Sequence, residues 1–229
     1  SLATIVNPPH FDDVDQPAFI CGADFPKLSN GHPSLLAAGR PSAQGCSNLE
    51  FTYTDTRLQE CGDAYKLLRR WLMIDWCQSQ TKEFIQIIKV LDKTPPVIEC
   101  PSNFTLTTTA YDCHTGIKPF PAPKITDNCG SFTYQINIFD TLNRNQNIYL
   151  TKTNNTYFTN NLPFGRYRVQ YIAIDDCQNK DTCYTNLTVI DDQPPFVFCT
   201  AKLVVNLNES SYLRLFPESV DQGSSDNCR

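Results

Sequence analysis

The strongest constraint on this chain is that it repeats itself. Asp127-Asn128-Cys129 returns as Asp226-Asn227-Cys228, 99 residues on. Ile74-Asp75-Trp76-Cys77-Gln78 returns as Ile174-Asp175-Asp176-Cys177-Gln178 at an offset of 100. Val90-Leu91-Asp92, followed by Lys-Thr-Pro-Pro, returns 99 residues later as Val189-Ile190-Asp191, followed by Asp-Gln-Pro-Pro. Pro96-Val97-Ile98-Glu99-Cys100 is echoed by Pro195–Cys199 and more loosely by Pro17–Cys21. Landmarks kept in one order at one spacing mark a structural repeat. A unit of about 100 residues is the size of a β-sandwich domain.

Proline fixes φ and cannot donate to a strand ladder, so the Pro95-Pro96 and Pro194-Pro195 pairs read as short, stiff linkers between sheets. The expected division is a tail of a preceding repeat over 1–16, a first module over 17–93, a second over 94–192 and the start of a third over 193–229. Within the second module the texture is short strands with period-two alternation. Phe104-Thr-Leu-Thr-Thr-Thr reads as a first strand and Ser131–Ile138 as a middle one. Residues 166–174 form the clearest strand, with Tyr167, Val169, Tyr171 and Ala173 on one face, and Cys183–Ile190 follows it. No stretch of ten or more residues keeps a helical period. The expected fold is all-β: tandem Ig-like β-sandwich modules joined by Pro-Pro linkers.

Composition sets the compartment. Eleven cysteines in 229 residues are unusual in a reducing cytosol without metal or redox chemistry. Zinc sites need close pairs such as C-x₂-C, whereas the tightest spacing here is Cys177 to Cys183, and His10, His32 and His114 stand alone. Structural disulfides in an oxidising compartment follow. The net charge of −5 argues against a phosphate-binding surface, since nucleic-acid affinity rests on clustered Lys and Arg. No apolar run reaches the roughly 20 residues that span a bilayer, and the first residues carry neither the basic stretch nor the apolar core of a signal peptide.

Thr-Pro-Pro-Val-Ile-Glu-Cys-Pro, Thr-Asp-Asn-Cys-Gly, Gly165–Asn179 and Val-Ile-Asp-Asp-Gln-Pro-Pro resemble hyalin-type (HYR) repeats. They look most like the Cys-rich, Ig-like variants in very large surface proteins of Bacteroidetes. In the first module, Tyr53-Thr-Asp-Thr and Arg69-Arg-Trp71-Leu-Met-Ile-Asp75-Trp-Cys77 resemble that variant's Y-T-D and R-T-W-T-A-T-D-x-C blocks. The resemblance implies cell-surface architecture: long repeat arrays in adhesins, including gliding-motility adhesins exported by the type 9 secretion system. It implies no ligand. Gln78 and Gln178 stand where the family usually has Gly after the Asp-x-Cys cysteine.

In an Ig-like module the first strand opens at the end where the last one opens, and the turns after the second and sixth strands lie there too. That topology predicts Cys129–Cys177 and Cys100–Cys183. It predicts Cys46–Cys77 in the first module, with Phe84 in place of the Cys183 equivalent, and leaves Cys21 and Cys61 to pair with each other. Cys113, Cys199 and Cys228 have no obvious partner; Cys113 is either free or bridges towards the next repeat.

Catalytic constellations are missing. There is no G-x-S-x-G or H-E-x-x-H, and the three histidines fall in Pro/Gly-rich loops, so no enzyme is expected. No cofactor is expected either. Carboxylate pairs such as Asp191-Asp192 read first as turn chemistry. Calcium at module junctions is the sharper alternative, with Asp92, Asp191 and Asp192 as its candidates. Four N-x-[ST] sequons, at Asn103, Asn154, Asn186 and Asn208, are about what chance gives. A glycan platform would need several exposed aromatics in one plane, whereas Trp71, Tyr167 and Tyr171 lie on inward faces.

One surface stands out. If Leu67, Arg69, Trp71 and Met73 face the core, then Leu68, Arg70, Leu72 and Ile74 face outward, joined by Ile85, Ile87 and Leu91 of the next strand. Antiparallel sheets usually keep one face wet, and this one is apolar on both. Leu68, Leu72, Ile74, Ile85 and Ile87 are therefore the expected contact surface for another repeat or chain, unless residues 22–45 cover it. The functional expectation is an extracellular, cell-surface structural or adhesive repeat segment. Its partners are neighbouring repeats and either other protein chains or surface glycans. The alternative is a glycan- or calcium-binding accessory module of a secreted protein.

Overall fold

The computed structural model describes residues 4–44, 48–76, 79–142, 148, 150–205 and 214–228. In chain order the first half holds β1 (Thr4–Val6), β2 (Phe19–Ile20), β3 (Ser42–Gln44), β4 (Leu49–Gln59), β5 (Tyr65–Asp75) and β6 (Gln80–Leu91). Then come β7 (Val97–Glu99), β8 (Phe104–Thr107), β9 (Lys124–Thr126), β10 (Phe132–Asp140), β11 (Thr151–Thr153), β12 (Thr156–Phe158), β13 (Gly165–Asp175) and β14 (Lys180–Ile190). Helix among the described residues is one four-residue turn, Leu35–Ala38, and a 3-10 turn, Pro217–Ser219. The fold is all-β and Ig-like. The chain forms two compact units: one of residues 1–98, 125–134 and 172–181, the other of 99–124, 135–171 and 182–229.

The first unit is organised by the sheet β2-β6-β5-β4. β4, β5 and β6 are long antiparallel neighbours, and the two-residue β2 adds in parallel, Phe19 beside Val90 and Ile20 beside Leu91. Period-two alternation puts Leu67, Arg69, Trp71 and Met73 on the inner face, and all four are buried. Residues 8–11 and 26–39 lie over that face: Gln86 donates to the Pro9 and Ala38 carbonyls while accepting from the Trp71 indole. Phe11, Phe19 and Phe25 close the core around Leu67, Ile88 and Val90.

The two Tyr/Arg-containing sequence blocks meet here. Tyr53 lies opposite Trp71 and Asp55 opposite Arg69 in the β4–β5 register. Arg69 donates to both Asp55 oxygens at 2.8 and 2.9 Å and to the Pro33 carbonyl at 2.8 Å, with its guanidinium over the Tyr53 ring. His32 Nδ1 stands 3.1 Å from the same carboxylate. The motif spacing thus encodes a buried, cross-strand ion pair.

The second unit contains most of the sheet β10-β13-β14-β8, in which β8 joins β14 in parallel. Tyr167, Val169, Tyr171, Leu187 and Val189 are buried on its inner face. The opposite layer consists of residues 114–120 running against 157–163, with Thr159 donating to the Lys118 carbonyl and Phe120 to the Tyr157 carbonyl. Tyr171 reaches across to donate to the Pro121 carbonyl at 3.0 Å. Gln178, standing where the resemblance expects glycine, takes the left-handed φ of 69° that the β13–β14 turn needs.

Tyr167 donates its hydroxyl to the Pro163 carbonyl, four residues back, at 2.7 Å. Burial, helped by the nearby Asp140 charge, pushes its phenol up to about 12. A phenol harder to ionise when folded contributes stability that is fully present below the ordinary tyrosine value of about 10 and lost as pH rises through about 12. Unfolding midpoints should therefore fall across pH 10–12 in the native protein. In Tyr167→Phe the fall should be shallower, and an equal slope in both would refute the assignment.

Candidate functional site

The chemistry that distinguishes this chain is concentrated at its cysteines, and the pairing departs from the single-module topology. Cys100 joins Cys183 with a Cα separation of 5.7 Å, as that topology expects. Cys129 does not join Cys177, and Cys21 does not join Cys61. Instead Cys21 joins Cys129, and Cys61 joins Cys177, with Cα separations of 5.7 and 5.1 Å. The reason lies in the strands. β2 is parallel to the end of β6, which brings Cys21 to the end of that sheet where residue 91 exits. The β4–β5 turn, with Tyr65 opposite Val90, carries Cys61 to the same end. Two thiols are therefore presented to Cys129 and Cys177 from outside their own sequence repeat. The Cys46–Cys77 expectation falls outside the described residues.

Side-chain geometry around these bonds is specific. Asp127 accepts the Cys129 amide at 2.8 Å, turning the chain so that the Asn128 amide donates to the Cys21 carbonyl at 2.8 Å. Gly62 and Gly130 sit at φ of 52° and 108° with their backbones against each other; a Cβ on Gly130 would stand 2.9 Å from the Gly62 Cα. Only residues without a side chain allow that approach.

The second unit repeats the device. Cys113 joins Cys228, 115 residues on, with a Cα separation of 4.8 Å. Asp226 accepts the Cys228 amide at 2.8 Å, and the Asn227 amide donates to the Thr109 carbonyl at 2.9 Å. The Asp-Asn-Cys triplet therefore does one job twice: aspartate shapes the turn, asparagine grips a neighbouring main chain, and cysteine locks it. The triplet's recurrence was visible in the sequence; its partners were not. Cys199 is exposed and free among the described residues.

The three calcium candidates are not gathered into one set. Asp92 accepts the Thr94 amide, and burial, together with the Asp175 and Asp127 charges, holds its carboxyl above the usual range. Asp191 is held low, first by the Gln193 amide and also by the Thr108 hydroxyl and Asn227 amide, while Asp192 accepts from the Gln193 side chain. Among the described residues no group of three or more His, Cys, Asp or Glu is arranged to hold a metal ion.

On the outer face of the first sheet, Leu72 is 37% and Ile85 51% exposed, and Leu68, Ile74 and Ile87 are half-buried. Pro33 and Ala38, within the segment expected as a possible cover, bond instead to Arg69 and Gln86, on the opposite face.

No family model and no curated protein matches the chain. Among solved structures it has a partial likeness to the protocadherin gammaB4 extracellular domain, 11% identical over 91% of this chain and 36% of that one, TM-score 0.35. Protocadherin gamma B2 extracellular cadherin domains 3–6 give 8% identity over 89% and 54%, TM-score 0.37. The human desmocollin-1 ectodomain gives 13% over 85% and 44%, TM-score 0.34. The chain spans between about a third and about half of each. These likenesses are too loose to bear on role, and the fold rests on the chain's own sheets. No helix among the described residues is long and apolar enough to cross a membrane.

Proposed function

We propose that this chain is a non-enzymatic, extracellular repeat segment of a larger cell-surface protein, acting as a structural or adhesive spacer whose consecutive repeats are stapled covalently. The spacer is built of tandem Ig-like modules meeting at the two Pro-Pro pairs. Disulfide density supports an oxidising compartment, and the sequence motifs support the hyalin-type, gliding-adhesin assignment.

One observation carries the mechanical reading: the four bridges among the described residues overlap along the sequence from Cys21 to Cys228. A pull on the two ends runs 20 residues to Cys21, crosses to Cys129, returns 16 residues to Cys113, crosses to Cys228 and leaves after one more. At roughly 3.5 Å per residue the oxidised chain can extend to only about 140 Å even when fully unfolded, against about 800 Å for the reduced chain. Such a segment stays short under load because covalent bonds, not strand pairing, limit it. Single-molecule stretching with and without a reductant tests this. A total extension that does not change on reduction would remove the spacer reading.

The outer face of Leu68, Leu72, Ile74, Ile85 and Ile87 is the candidate surface for contact with another repeat or chain. Leu72→Lys with Ile85→Lys, both exposed, should weaken self-association or adhesion of the parent array while costing less than about 1 kcal/mol of stability, as exposed substitutions usually do. Unchanged assembly would take this face out of the proposal.

A further inference from the structure

On the outer face of the second sheet lies a different kind of surface. Phe139, Asp140, Thr141, Arg168 and Tyr184 line an open hollow of about 580 Å³, within the range of small-ligand clefts, roughly 300–1,000 Å³. Phe139 is 47% and Tyr184 48% exposed, large apolar groups that the core does not use. Their neighbours are pre-arranged. Asn137 donates to the Gln170 carbonyl oxygen at 3.0 Å, and Gln170 donates to the Tyr184 hydroxyl at 3.1 Å. A hydroxyl that accepts this bond keeps its own proton for an outside acceptor. The Arg168 guanidinium lies over the Tyr184 ring, 4.2 Å from its centre, a cation–π contact that holds both groups at the hollow. Asp140 accepts the Leu142 amide at 2.8 Å, which holds its carboxylate in place at the rim.

We propose that this hollow binds a neutral glycan. The class follows from the lining. One carboxylate and one guanidinium bring no net charge, so an anionic or cationic ligand gains nothing overall. Together with the Thr141 and Tyr184 hydroxyls they supply alternating donors and acceptors, which is what a row of sugar hydroxyls satisfies. Phe139 offers an apolar ring to the C–H face of a pyranose. On the corresponding outer face of the first sheet the one such pair, Arg70 with Glu83 at 2.6 Å, satisfies itself beside the exposed Leu72 and Ile85. The inference adds a ligand to the adhesive reading and stands apart from the stapled spacer, which the stretching experiment tests by itself.

The probes are hexasaccharides of β-1,4-glucose, β-1,3-glucose and β-1,4-mannose, with oligogalacturonate as the acidic comparison, measured by calorimetry on the intact oxidised chain. At least one neutral hexasaccharide should bind, and the acidic one should bind more weakly. Phe139→Ala and Tyr184→Ala should each lower affinity about tenfold or more, with thermal unfolding unchanged because both side chains are exposed. Tyr111→Ala, an exposed tyrosine outside the hollow, should leave affinity as it is. Failure of all three neutral probes, preference for the acidic one, or undiminished binding by the Phe139→Ala/Tyr184→Ala double variant would each overturn the proposal.

Discussion

Replacing Cys21 and Cys129 by serine should destabilise the protein by roughly 4 kcal/mol, the chain-entropy value for a closed loop of this size. The bridge closes a loop of 108 residues, and the remaining bridges do little to pre-close it. The shortest alternative path runs 40 residues from Cys21 to Cys61, six from Cys177 to Cys183 and 29 from Cys100 to Cys129, about 75 in all. Because loop entropy grows only with the logarithm of length, that shortening barely reduces the stabilisation. Urea unfolding followed by the fluorescence of Trp71, buried in the first unit, measures it. A loss below about 1 kcal/mol would mean that Asn128 and the interlocked glycines hold the segment without the bond. It would also remove the stabilising part of the staple's role, while leaving the limit on extension untouched.

Arg69→Met should cost about 3–5 kcal/mol, because it strands the Asp55 carboxylate inside the protein without its two guanidinium bonds. Pairing that change with Asp55→Leu should recover most of the loss. A buried ion pair is expensive to break and nearly neutral to replace by apolar groups of similar volume. The comparison matters more than either value. If single and double variants unfold at the same urea concentration, Arg69 acts through its packing over Tyr53 and not through its charge. The pair's place in the fold suggests why the Tyr-Thr-Asp and Arg-x-Trp blocks occur together: they are opposite positions of one hairpin, and the ion pair sets its register.

What the sequence determined by itself was local. Alternation of side chains is a property of single strands, so the inward row Leu67, Arg69, Trp71 and Met73 and its counterpart Tyr167, Val169, Tyr171 and Ala173 could be read residue by residue, and all are buried. The outward rows followed from the same period, including the exposed Leu72 and Ile85. The recurrence of Asp-Asn-Cys was equally plain, because an offset needs no structure. Its use was not. A disulfide requires two Cα atoms within about 7 Å, a condition set by where every strand ends in three dimensions. The topology of one module could satisfy it for Cys100, just before β8, and Cys183, within the neighbouring β14. It could not for Cys129 and Cys177, because the parallel addition of β2 to β6 and the β4–β5 turn bring Cys21 and Cys61 to them. The hollow at Phe139, Arg168 and Tyr184 was hidden for the same reason. Its residues come from three strands, 45 positions apart at the extremes, and only their pairing in one sheet makes them neighbours.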